Sequence, residues 1–277
     1  MVTTQTWLLT GVALVALGVL AWQIGAPFYH ARRRRRLLAR PIPPAWEQIL
    51  RRRMPLYRRL PGELQAQLLR HMQVFLAEKR FVGCNGVVVT DAMRIVIAAQ
   101  ACLLLLNRRT DYYPNLRQLL IYPSAFIVDK HLTDAAGVAS HERQILAGES
   151  WSQGQVILSW EDAREGAAHA DGYNVVIHEF AHQLDLETGA ANGAPRLVGA
   201  EHYARWSRVL SEAYAQLQRR AQMGEPALLD YYGASDPAEF FAVASEVFFE
   251  QPADLAADAP ALYNELRDFY RVDPLNW

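Results

Sequence analysis

The sequence predicts an α+β domain, a small sheet packed with helices, preceded by one transmembrane helix. Three observations predict it. Helical apolar periodicity recurs through most of residues 45–271, short β-type runs interrupt it, and an uncharged stretch of 18 residues, Trp7 to Ile24, stands ahead of both. Behind that stretch, about 240 residues are enough for one substantial core. The formal net charge of −1 implies no bulk electrostatic partner, and no direct nucleic-acid binding is expected. The two cysteines, Cys84 and Cys102, have no Cys-x-x-Cys spacing and suit small buried residues in a reducing compartment.

Taken in order, the apolar stretch makes about 27 Å of helix. Trp7, Trp22 and Tyr29 suit the two interfacial belts. The run Arg32–Arg36 follows, then Arg40, and no Lys or Arg precedes the stretch. A cleaved signal peptide carries its charge on the other side. The positive-inside rule therefore places the N-terminus outside, the body of the chain in the cytoplasm, and anionic lipid against Arg32–Arg36, at a bacterial inner membrane. The expected plan is an anchor over 1–30, a basic, proline-rich linker over 31–44 and a folded domain over 45–277.

Within the domain, residues 45–80 read as helical, with Arg51–Arg53, Arg58 and Arg59 on solvated faces. Residues 83–89 and 119–128 read as strands, with an apolar helix over about 91–106 between them. After a polar stretch comes a strand at 155–159, then helices over 172–187, 200–222, 236–250 and 259–271. No internal repeat is visible.

The helix over 172–187 contains His178-Glu179-Phe180-Ala181-His182, an H-E-x-x-H pattern. Residues four apart share a helix face, so both imidazoles can reach one metal with Glu179 beside it. Burying three such groups in an apolar helix is costly unless each has a partner. Asp185 and Thr188 stand where a metzincin needs Gly and His, which excludes that extension. A carboxylate from a later helix is the common alternative, giving a zincin-like domain. Spacing leaves Glu187, Glu201, Glu212, Glu225, Glu239, Glu246 and Glu250 open, with Glu201 and Glu239 foremost. Glu239 also has a bland reading, because with Asp236 as N-cap it falls at the capping-box position. Glu246 lies seven residues on, on the same face, where it could orient a ligand histidine.

The segments His178-Glu-Phe-Ala-His182-Gln-Leu-Asp185 and Tyr232-Gly-Ala-Ser-Asp-Pro-Ala-Glu239-Phe-Phe-Ala-Val resemble the Mlc titration factor A family of zinc peptidases, as do Val156–Trp160 and Asp268–Pro274. The resemblance runs over about residues 43–277. It implies one zinc per chain on His178, His182 and Glu239, with Glu179 as the catalytic base and Tyr232 as the tyrosine seven residues before the third ligand. It also favours Glu239 over Glu201. The N-terminal span departs from the soluble, cytoplasmic character the resemblance implies.

In that chemistry a water activated by zinc loses its proton to Glu179 and attacks a peptide carbonyl, while Tyr232 steadies the oxyanion. Tyr231 is the rival for that last role. Glu246 and Asp185 are expected behind the ligands. Val156, Ile157 and Leu158 are expected to form an edge strand that pairs with extended substrate. Two functions follow: an aminopeptidase-like zinc peptidase acting on short peptides, or a membrane-tethered protein that sequesters a transcriptional repressor of sugar uptake, as the family's name implies.

Overall fold

A computed structural model describes residues 4–133, 139–146, 148–151 and 154–277. The chain divides into a unit ending at Ile42 and a unit of Pro43–Trp277. The first is the helix α1 (Thr4–Leu38), whose stretch Leu14–Leu38 is long and apolar enough to cross a membrane and has no fully buried residue among those described. The basic run belongs to this helix, with Arg35 and Arg36 in its last turn. Only Ala39–Pro43 remain as a non-helical connection, shorter than the expected linker.

The second unit opens with α2 (Pro44–Arg53), α3 (Pro55–Arg59) and α4 (Gly62–Glu78). Pro44 and Pro55 sit in the first turns of α2 and α3, where a missing N–H costs nothing. Then come β1 (Arg80–Gly83), α5 (Asp91–Leu103), β2 (Gln118–Tyr122), β3 (Phe126–Thr133), β4 (Ala139–Leu146), β5 (Gly148–Trp151) and β6 (Gln155–Ser159). The chain closes with α6 (Trp160–Ala168), α7 (Val175–Asp185), α8 (Ala200–Met223), α9 (Pro237–Glu250), α10 (Pro252–Asp258) and α11 (Pro260–Tyr270).

The main sheet has the order β1-β2-β6-β5, the first three strands parallel and β5 antiparallel to β6. β3 and β4 form a separate antiparallel hairpin. This corrects three expectations. The strand read at 83–89 lies at 80–83, because Asn85 and Gly86 take left-handed φ of 49° and 82° and turn the chain. The strand read at 119–128 is broken at Pro123-Ser124, and the polar stretch after it holds β4 and β5. The segment 155–159 is not an edge. It is hydrogen-bonded on both sides, and Val156, Ile157 and Leu158 are 0%, 6% and 0% exposed. Their unbroken apolar run fits burial on both faces of the sheet, while pairing with β2 and β5 is what places the strand inside it. The edge beside α7 is β5.

The core joins the sheet to α7 and α9. Phe180 of α7 lies 4.8 Å from the ring of Tyr113 and 5.6 Å from that of Phe75 on α4. Tyr112 and Tyr113 both have left-handed φ, 57° and 55°, a strained pair costing on the order of 1–3 kcal/mol each. Buried Lys79 holds them by donating to the carbonyls of Tyr113 (2.6 Å) and Leu116 (2.8 Å), and the Tyr113 hydroxyl donates to Ala101 O at 2.6 Å. On α9 every residue from Phe240 to Glu250 is buried. Phe241 meets Trp206 of α8 and Phe269 of α11, each at 5.6 Å, and Phe249 meets Tyr270 at 4.9 Å. The two helices that the sequence motifs occupy are thus the most enclosed in the fold.

Candidate metal centre

Helix α7 starts where Asn174 caps it, its Oδ1 accepting from Ile177 N at 3.0 Å. One turn in, His178 and His182 project from the same face, their rings 4.9 Å apart. Helix α9 starts at Asp236, whose Oδ1 accepts from Ala238 N (2.8 Å) and Glu239 N (3.1 Å). The Glu239 side chain does not return to the cap, as the capping-box reading would have it. It turns to the histidines: its Oε2 lies 2.9 Å from His178 Nε2 and 3.3 Å from His182 Nε2, and the two Nε2 atoms are 3.2 Å apart.

Those three separations test the fit of a metal. A tetrahedral ion with bonds of about 2.0 Å has ligand–ligand edges of about 3.3 Å. The observed triangle has edges of that size, and all three donors are types zinc accepts. Among the described residues, His178, His182 and Glu239 form the one grouping of three such donors. Glu201, Glu212 and Glu225 are exposed and stand outside it, and Glu187 is half-buried near Arg108 and Arg196. A burial penalty on His178 is outweighed by the Glu239 and Glu246 carboxylates on its two ring nitrogens, which hold its pKa well above the usual range. For Glu239 burial is likewise outweighed, by both histidines, and its pKa falls far below normal. The site concentrates charge that a cation would balance.

Behind the triangle, Glu246 is 2% exposed. One of its oxygens lies 2.8 Å from His178 Nδ1 and the other accepts from Asn174 N. A carboxylate there fixes the proton on Nδ1 and leaves Nε2 as a lone-pair donor. Glu250, a turn further, accepts from Gly172 N (3.0 Å) and Asn174 Nδ2 (2.8 Å), and burial raises its pKa to about 8. Asn174 also donates to Gly166 O at 2.9 Å, so it ties the start of α7 to α9 and α6. Sequence reasoning passed over Asn174, and it had Glu250 only among the carboxylates left open as the third ligand. The readable signal was Asn174 immediately before an apolar helix start. Asp185 accepts from Gly193 N at 2.7 Å, anchors a loop that packs on Pro237 at the head of α9, and lies within electrostatic reach of His182.

Glu179, next to His178 on α7, is 4% exposed and acts electrostatically on His178, Tyr173 and Tyr232. The Tyr232 ring lies 6.0 Å from that of His178, and its hydroxyl engages Glu239. Burial and the nearby carboxylates of Glu239 and Glu179 raise its pKa, so it stays a donor at neutral pH. Tyr231 points elsewhere, its hydroxyl bonded to Glu225 O. Tyr173, half exposed just before α7, has its pKa raised by burial and then by the nearby carboxylates of Asp162, Glu246, Glu179 and Asp230.

The arrangement matches a known sequence pattern over most of the chain: residues 28–271 fit the model of the glucose-regulated metallo-peptidase M90 family. The chain belongs to that family. A protein of Synechocystis described as uncharacterized is 41% identical over 266 residues, 95% of this chain and 97% of its own length. Proteins named Mlc titration factor A are 38% identical in Klebsiella pneumoniae subsp. pneumoniae (83% of this chain, 86% of theirs) and 37% identical in Cronobacter sakazakii (85% and 88%). At 95% coverage the match to the cyanobacterial protein leaves fewer residues unmatched than the 35 of α1, so it continues into that helix. Membership brings a metallopeptidase-type domain and a metal cofactor.

Proposed function

We propose that this chain is a zinc-dependent peptidase, its metal held by His178, His182 and Glu239. The observation that carries the reading is the triangle of donor atoms with edges of 2.9, 3.2 and 3.3 Å, built on two buried helices with Glu179 beside it. Zinc bound there supplies a Lewis acid that acidifies water and polarises a carbonyl. Glu179, enclosed and adjacent, takes the proton of the attacking water and passes it to the leaving amine. Tyr232, kept protonated, donates to the oxygen on which negative charge develops. Glu246 keeps His178 in the tautomer that binds metal.

Asp162 and Asp230, the less enclosed carboxylates near Tyr173, would attract a cationic group, which favours a substrate with a free α-amino terminus and hence an aminopeptidase-like activity. Extended substrate would pair with β5, the sheet edge next to α7. The chain is anchored by α1 with its N-terminus outside, and the unit from Pro43 onward works in the cytoplasm.

A second reading rests on the relatives' name: a tethered protein that sequesters a transcriptional repressor, with peptidase activity secondary. Glu179 favours the first, since a binder has no chemical use for a buried carboxylate at that place. The test is zinc content and hydrolysis of chromogenic amino-acid and peptide anilides by the chain and by Glu179→Gln. Stoichiometric zinc in both, with turnover lost in the variant, is expected. Zinc-free wild type, or an equally active variant, would overturn the reading.

A further inference from the structure

Residues 32–59 hold eleven of the chain's 28 basic residues and one of its 29 acidic ones, Glu47. They are net +10 in a chain of net −1, so the remainder is net −11. Six of those arginines lie in or just after α1. The other five lie in the folded unit, on α2 and α3, and they are exposed. Arg51 pairs with Glu47 at 2.7 Å and lies over the Tyr57 ring. For Arg52, Arg53, Arg58 and Arg59 there is no ion pair among the described residues.

The plainest account of these arginines is that they complement the C-terminal ends of two helices. One cation serves a helix end, however, and here each end carries more. The packing also sorts these segments by side. Leu50, Met54, Tyr57 and Leu60 are at most 3% exposed and hold the pair of helices onto α5 and α6, while the arginines are all left outward. Apart from the arginines, the exposed residues of α2 and α3 are Pro44, Ala45, Gln48 and Pro55, so positive charge dominates the surface.

We infer that the exposed arginines of α2 and α3 form a docking face for anionic lipid headgroups, a second contact with the membrane made by the peptidase unit itself. The inference rests on α1 being a membrane anchor. Only Ala39–Pro43 intervene between α1 and α2, about 17 Å when fully extended, so α2 starts within reach of the headgroup layer. Each arginine near an anionic surface adds on the order of a five-fold gain in partition, screened by salt. The strongly acidic remainder of the chain is repelled by the same surface. Attraction on one face and repulsion elsewhere fix the unit's orientation as well as its distance.

The test uses the full chain in lipid nanodiscs and arginine-specific labelling with phenylglyoxal, read by mass spectrometry. In discs containing phosphatidylglycerol, labelling of Arg52, Arg53, Arg58 and Arg59 should fall several-fold relative to pure phosphatidylcholine discs and recover at about 0.5 M salt. Arg208 and Arg219, exposed on α8, serve as internal controls and should not change. Equal labelling in both lipids, or an equal fall at the controls, overturns the docking face. Protection by an added DNA duplex but not by anionic discs assigns the face to nucleic acid and also overturns it. If the chain does not enter discs at all, the anchor reading fails separately. The face is then read by sedimentation of the detergent-free chain with phosphatidylglycerol vesicles. Binding that survives in R52Q/R53Q/R58Q/R59Q overturns it, and binding abolished in that variant supports it.

Discussion

Replacing Glu246 by Gln isolates what the buried carboxylate does for the metal site. Its two oxygens face two nitrogens, His178 Nδ1 at 2.8 Å and the backbone N–H of Asn174. A carboxylate accepts at both ends, whereas an amide accepts at one and donates at the other. With its oxygen toward Asn174, the amide turns an N–H2 on His178, so Nδ1 must give up its proton and Nε2 must carry one in the direction of the metal. The opposite orientation sets an N–H2 against the Asn174 N–H. At 2% exposure no water takes over either task. Loss of such an outer contact costs about 10- to 100-fold in metal affinity, or about 1.4–2.7 kcal/mol. The fold suffers less, because removing a buried carboxylate also removes its desolvation penalty, the main cause of its raised pKa. Zinc affinity by chelator competition, measured beside thermal unfolding without metal, separates the two effects. A variant that binds zinc within about three-fold of wild type would refute the reasoning.

Four further outcomes are expected. Tyr232→Phe should lower kcat by about 100- to 1,000-fold with zinc content unchanged, and Tyr231→Phe should leave kcat within a few-fold; steady-state kinetics on one peptide decide it. Glu239→Ala should abolish stoichiometric zinc in the purified chain while Glu201→Ala retains it, as read by elemental analysis. Gly193→Ala should destabilise by about 1–3 kcal/mol, because φ is +74° and a Cβ would run into Pro237 O; denaturant titration gives the value. Glu250 has its pKa raised to about 8 in the fold, against 4.5 ordinarily, so between those values the folded state binds more protons than the unfolded one. Stability should therefore fall as pH rises from about 4.5 to 8, by at most about 5 kcal/mol. Glu250→Gln should flatten that part of the stability–pH curve.

The helix of the H-E-x-x-H motif and the cap that starts α9 were legible because both depend on local rules: side-chain spacing on one face and an Asp-Pro start. Choosing Glu239 from seven carboxylates needed either the family resemblance or the packing of α7 against α9, since spacing says nothing about which later helix returns to the first. The edge strand was misread for a related reason. Val156–Leu158 announce burial on both faces, but which strand covers their second side depends on β5, a four-residue antiparallel addition without a strong signal of its own. Asn174 was overlooked, and Glu250 stood only as one of seven candidate ligands, because each looks ordinary alone, a cap and a charged residue in an apolar helix. Their meaning lies in meeting across 76 residues of chain.

Helix α9 carries the third donor, the histidine's proton acceptor and the clamp on Asn174 at positions 239, 246 and 250. Each residue inserted or deleted between them would rotate everything beyond by about 100° and shift it by about 1.5 Å. Lengthening the loops around the site alters its surroundings, but changing the length of this one helix dismantles it. Among relatives, α9 between Glu239 and Glu250 should therefore admit substitutions and no change in residue number.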